Sequence, residues 1–169
     1  MIFTRRSAVA IMGSALIGFS VGPALAAGTV VQVSLWDKGD TSMNMMGDVK
    51  PMGMAMMGSD MTMVTMGITI DLAEVPAGEV TFEVTNDSKG MIHEMVLAPV
   101  ADPSTPLPYK SDQMKVDEDA AGHLGEVAEL EIGQSGALTM TLKPGTYILY
   151  CNIPGHYAMG MWALLKVAG

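Results

Sequence analysis

The 169-residue chain has one cysteine, Cys151, and only three histidines, His93, His123 and His156. A single cysteine excludes an internal disulfide. Arginine occurs only at Arg5 and Arg6. The longest weakly polar run near the amino terminus, Ala8 to Val21, is 14 residues, whereas a membrane-spanning helix needs about 20 predominantly apolar residues. No stretch beyond this run shows convincing helical periodicity, which argues against an all-α or α/β domain.

What is present at the start is an arginine pair, the apolar run and then Pro23-Ala24-Leu25-Ala26. This is the pattern of a secretory signal, and Ala24-x-Ala26 places cleavage after Ala26. Residues 1–26 are therefore expected to be a signal peptide, and 27–169 one exported domain with a periplasmic or similar location and no stable membrane insertion. Thr4-Arg5-Arg6 resembles a twin-arginine signal, but Ser7-Ala8 replace the large apolar residues expected next, so both the Sec and Tat routes remain open. Without residues 1–26 the chain keeps seven lysines against 18 acidic residues, a net charge of −11, so nucleic acid is excluded as a partner. A domain of this size can bury a sufficient core without disulfides. In an oxidising compartment a lone thiol is a liability unless it is buried or held by a metal.

Short alternating or apolar runs recur at Thr29–Trp36, Met61–Ile70, Glu79–Thr85, Met95–Ala98, Glu126–Ile132, Ala137–Leu142, Thr146–Tyr150 and Trp162–Val167. Turn signals such as Pro76-Ala77-Gly78, Gly133-Gln134-Ser135-Gly136 and Pro144-Gly145 separate them. About eight short strands predict an all-β, antiparallel sandwich. Two segments break the pattern. Ala101–Asp119 carries three prolines and reads as a surface connection with at most one helical turn. Met43–Met66 holds ten of the 18 methionines, and residues 43–60 read as an irregular insertion after the first strand.

The chemistry is concentrated in CNIPGHYAMGM, where Cys151, His156 and Met161 recur at steps of five between two strands. One loop can thus wrap an ion with thiolate, imidazole and thioether. With a second imidazole this is the donor set of a mononuclear blue-copper site, trigonal with a weak axial methionine. The second imidazole must be His93 or His123, and His93 opens a strand that a Greek-key sandwich can bring beside the last hairpin. Zinc accepts Cys and His, but its structural sites take four strong ligands, among which a thioether is not found. Copper(I) favours sulfur and copper(II) accepts imidazole, so a rigid mixed set serves electron transfer.

The run Tyr150-Cys151-Asn152-Ile153-Pro154-Gly155-His156 with Gly160-Met161 resembles the copper loop of the plastocyanin/azurin-type cupredoxins, most closely the rusticyanin-like and auracyanin-like members, which also have four residues between Cys and His. The likeness extends upstream through LKPGTYILYC and, less specifically, through VTFEVTND and the strand bearing His93. It implies a Greek-key β-sandwich, one type 1 copper held by His93, Cys151, His156 and Met161, and one-electron carriage between redox protein partners. Met159 lies close enough to compete for the axial place. By analogy Glu94 gives its backbone N–H to the thiolate sulfur while its side chain faces water. His156 is by analogy the ligand nearest the surface, within an apolar rim of Pro154, Tyr157, Met159 and Met91 for transient docking. His123, between glycines and after acidic residues, reads as an exposed loop histidine.

Clustered thioethers stay uncharged at every pH and can bind copper(I) where free thiols would be lost. The methionine segment therefore favours auxiliary copper(I) binding over the filling of apolar gaps. That supports an alternative function, periplasmic copper delivery, buffering or resistance. An enzyme is the weakest class, because catalytic copper centres need more histidines than three and the binuclear centre of oxidase subunits needs two cysteines.

Overall fold

The computed structural model describes residues 28–39 and 65–169. The signal peptide and the methionine-rich insertion expected at 1–26 and 43–60 lie outside these residues. Among the described residues no helix is long and apolar enough to cross a membrane.

Two sheets form the sandwich. The first has the order β2 (Met66–Ile70), β1 (Thr29–Asp37), β4 (Gly78–Asn86), β9 (Ser135–Leu142); the second runs β3 (Glu74–Pro76), β11 (Trp162–Ala168), β10 (Gly145–Tyr150), β5 (His93–Val100), β8 (Gly125–Leu130). Each of the eight expected runs contributes a strand. Three more bring the total among the described residues to eleven: β3 and the two-residue pair β6 (Tyr109–Lys110) and β7 (Lys115–Val116). Their brevity hides them from any periodicity, and β3 ends at Pro76 on a sheet edge, where a missing N–H costs no ladder bond. The sandwich is not wholly antiparallel either. β1 runs parallel to β4, and β3 parallel to β11.

Alternation places one face of each sheet inward. Val31, Val33 and Leu35 of β1 and Val80, Phe82 and Val84 of β4 meet Met95, Leu97, Leu149 and Leu165 of the second sheet in one buried cluster. The second sheet is also covered on its outer face. Val96, Ala98, Ile148 and Tyr150 pack there against Leu107, Val116, Ala121 and Tyr157. The connection expected to lie on the surface thus forms a lid: the β6–β7 hairpin and one helical turn, α1 (Glu118–Ala121), capped by Asp117. Burial on both faces explains why β5 is continuously buried from His93 to Ala98.

β8 and β9 meet across the edge of the sandwich. A Cβ on Gly136 would stand 2.5 Å from Val127 Cγ1, and Val127 is itself buried. Gly136→Ala should therefore overpack this edge and cost about 1–3 kcal/mol. A urea midpoint no lower than that of the unchanged protein would contradict it.

Candidate metal centre

β5 pairs antiparallel with β10, Val96 opposite Tyr150. This register sets the start of β5 beside the end of β10, so His93 arrives next to Cys151 although 58 residues separate them. The loop after Cys151 then winds back on itself. Its neck is closed by Cys151 N–H donating to Met161 C=O at 3.1 Å, and Met161 N–H donates to His156 C=O at 3.1 Å. Gly155 and Gly160 make the turns with φ of 87° and 95°, values that favour glycine over any residue with a Cβ. Asn152 ties the loop to the lid, accepting from Val116 N–H at 2.6 Å and donating to the Glu118 carboxylate at 2.6 Å.

The three donor atoms converge. His156 Nδ1 is 3.3 Å from Cys151 Sγ, His93 Nδ1 is 4.0 Å from it, and the two Nδ1 atoms are 3.2 Å apart. All three side chains are buried, His93 and Cys151 at 0% exposure and His156 at 2%. Of the two histidines weighed for the second imidazole, His93 is the one brought to Cys151 and His156, whereas His123 is exposed and grouped instead with Glu118 and Glu126. Met161 is also at 0% exposure and shares the core cluster of Cys151; Met159 belongs to that cluster at 7%.

Burial pushes the Cys151 thiol up to about 12, although backbone N–H groups of Glu94 and Ile153 directed at the sulfur pull the other way. The expected Glu94 amide is thus present, joined by one from Ile153. Burial, reinforced by the neighbouring His93, brings His156 down to about 4, and burial likewise lowers His93. The metal-free pocket is therefore an uncharged thiol facing two neutral imidazoles. A soft sulfur and two ring nitrogens aimed at one point, with water excluded, fit a copper ion.

Three expectations change. The Glu94 side chain does not face water; it is 8% exposed under the lid, and desolvation, with Glu126, Glu129 and Glu118 nearby, raises its pKa against the pull of Lys115. Tyr157 is not a rim residue. Its ring packs on Tyr150 at 5.9 Å and its hydroxyl accepts from Leu107 N–H, so it anchors the lid. Met159 is likewise buried, which leaves Ile153, Pro154, Met91 and the 40%-exposed Ile92 among the more accessible apolar residues close in sequence to the ligands.

A residue that sequence reasoning passed over completes the site. Asp37 sits behind His93, its Oδ2 accepting from His93 Nε2 at 3.2 Å with both side chains at 0% exposure. Burial alone would raise its pKa, but N–H bonds from Gly39 and Lys89 and the contact with His93 together hold it below the usual carboxylate value. The available signal was its phase: Val31, Val33, Leu35 and Asp37 are successive inward positions of β1.

The copper-binding plastocyanin/azurin family model matches residues 52–168. This chain belongs to that family. Its cofactor is accordingly a single type 1 copper. Auracyanin-B of Chloroflexus aurantiacus is 33% identical over 91 residues, a match covering 50% of this chain and 39% of the relative, so the chain spans well under half of that protein. Rusticyanin from Thiobacillus ferrooxidans superposes with a TM-score of 0.50 at 19% identity, covering 83% of this chain and 79% of its own, a likeness of fold. An auracyanin from Roseiflexus castenholzii has a TM-score of 0.49 at 20% identity over 85% of this chain and 99% of its own.

Proposed function

We propose that this cupredoxin is an exported one-electron carrier whose copper is held by His93, Cys151 and His156, with Met161 as the weak axial donor, and that it shuttles between redox protein partners without catalysing a substrate reaction. The observation that carries the reading is the convergence of one thiol and two imidazole Nδ1 atoms in a pocket closed to water. Bound copper supplies a single reversible electron by alternating between its two oxidation states.

The protein's part is to hold that site still. Cys151 would hold the ion as its thiolate, and the Glu94 and Ile153 amides directed at the sulfur would steady that charge. His93 is fixed in a strand flanked on both sides, and His156 in a loop whose neck is hydrogen-bonded shut. Such a frame suits a site in which little moves when the electron does. The signal-like residues 1–26 support an exported location, and the charge of −11 on 27–169 suits a cationic or metal-bearing partner surface.

Adding one equivalent of copper(II) to the metal-free protein tests the reading. Intense absorption in the orange-red is expected; a pale, weakly absorbing complex would overturn it. Met161→Leu should retain copper while its potential rises on the order of 60 mV, a roughly tenfold change in relative affinity for the two oxidation states, since copper(II) loses a donor. Complete loss of copper from this variant would show that Met161 is not axial. The ten methionines between Met43 and Met66 favour a second role in copper delivery, buffering or resistance. Copper(I) stoichiometry above one that falls on deleting residues 43–57 would establish auxiliary binding there.

A further inference from the structure

The inner imidazole is backed by a charge, not by a neutral carbonyl. His93 Nε2 lies 3.2 Å from Asp37 Oδ2. A carboxylate can only accept, so the hydrogen bond requires the proton of neutral His93 to sit on Nε2. The Nδ1 lone pair is then left pointing at Cys151 and His156, where a metal ligand needs it. Asp37 is itself braced. Its Oδ1 accepts from Gly39 N–H at 2.7 Å and from Lys89 N–H at 3.2 Å. Those amides belong to the segments that follow β1 and precede β5, so the carboxylate is gripped by the same two stretches that deliver it to His93.

We propose that Asp37 is the positioning residue of the copper site: its buried carboxylate selects the Nε2–H tautomer of His93, fixes the ring, and biases the bound ion toward copper(II). Outer-sphere hydrogen bonds of this kind orient a ligand imidazole and increase its basicity. The bias follows from charge. One thiolate and one buried carboxylate balance copper(II), whereas copper(I) leaves an excess negative charge in a place that water does not reach. The inference rests on His93 being a ligand, as proposed above, but its first test needs no metal.

In the metal-free protein, 15N-detected imidazole correlations should show His93 as the Nε2–H tautomer, with its proton slow to exchange. Finding Nδ1–H there would overturn the proposal. Asp37→Asn, nearly identical in shape, should mix the tautomers, weaken copper(II) binding about 10–100-fold and shift the relative affinity roughly tenfold toward copper(I), an increase of about 59 mV in potential for one electron. Asp37→Glu, which keeps the charge, should hold the potential closer to the unchanged protein and stands in if the amide variant does not fold. A merely structural Asp37 would lower the melting temperature in both variants and leave tautomer and potential alone, which refutes the assignment. If the tautomer behaves as stated but copper(II) gives no orange-red absorption in the unchanged protein, the electron-carrier reading fails and the role of Asp37 in setting His93 stands.

Discussion

Cys151→Ser is expected to abolish the intense visible absorption of the copper-loaded protein and to weaken copper binding by more than the roughly 10–100-fold that follows loss of an outer hydrogen-bond partner. The colour of such a site comes from electron density passing from thiolate sulfur to copper, and a serine hydroxyl offers neither the soft donor nor the easily removed charge. The fold should survive. Serine is smaller than cysteine, and at a position 3.3 Å from His156 Nδ1 a hydroxyl has a partner for its proton, so the expected cost is about 1 kcal/mol. Far-ultraviolet circular dichroism of the metal-free variant checks this. An unchanged absorption band would remove Cys151 from the site, and with it the proposed function.

Acidification should destabilise the metal-free protein steeply. His156 has a folded pKa of about 4 against an ordinary 6.5, so between those values the unfolded chain binds the extra proton. Stability is then fully present above pH 6.5 and falls as the pH drops toward 4, by on the order of 3 kcal/mol from this group alone. His93 is lowered too and acts in the same direction. Asp37, held below its ordinary 3.8, withdraws its contribution at still lower pH. Glu94 opposes them, since its raised pKa makes protonation above 4.5 relieve a buried charge. At the other end, Cys151 is raised from 9 to about 12, so stability declines as the pH rises through that interval. Denaturant midpoints of metal-free protein between pH 4 and 7 measure the acid limb. A flat profile would mean that the imidazoles are not desolvated as described.

Copper should flatten that limb. Binding to the folded state alone adds RT ln(1 + [L]/Kd), and a proton cannot occupy a nitrogen that the ion already holds. The difference between loaded and metal-free profiles thus reads the same pocket from the opposite side.

Much of this is legible in the amino-acid sequence. The eight strands show themselves as a period of two where one face meets solvent and as short apolar runs where both faces are covered, as in β5 and β10, and Cys151, His156 and Met161 show themselves because a single loop carries them all. What escaped did so for specific reasons. Glu94 follows a ligand in a strand, where one face ordinarily meets solvent, but Leu107, Val116 and Ala121 cover that face. Tyr157 sits in the ligand loop, yet the direction of its ring depends on turns at Gly155 and Gly160. β3, β6 and β7 are too short to carry a pattern.

By itself the sequence determined the donor types, their spacing within the loop and the class of fold, because these depend on chemistry and on local period. It favoured His93 over His123 as the second imidazole and offered no partner for it. Only the tertiary structure brought His93 to Cys151 and put Asp37 behind its ring, since the register of β5 on β10 and the end of β1 are set by packing between residues more than fifty positions apart. A pattern of short period holds no record of contacts at that range.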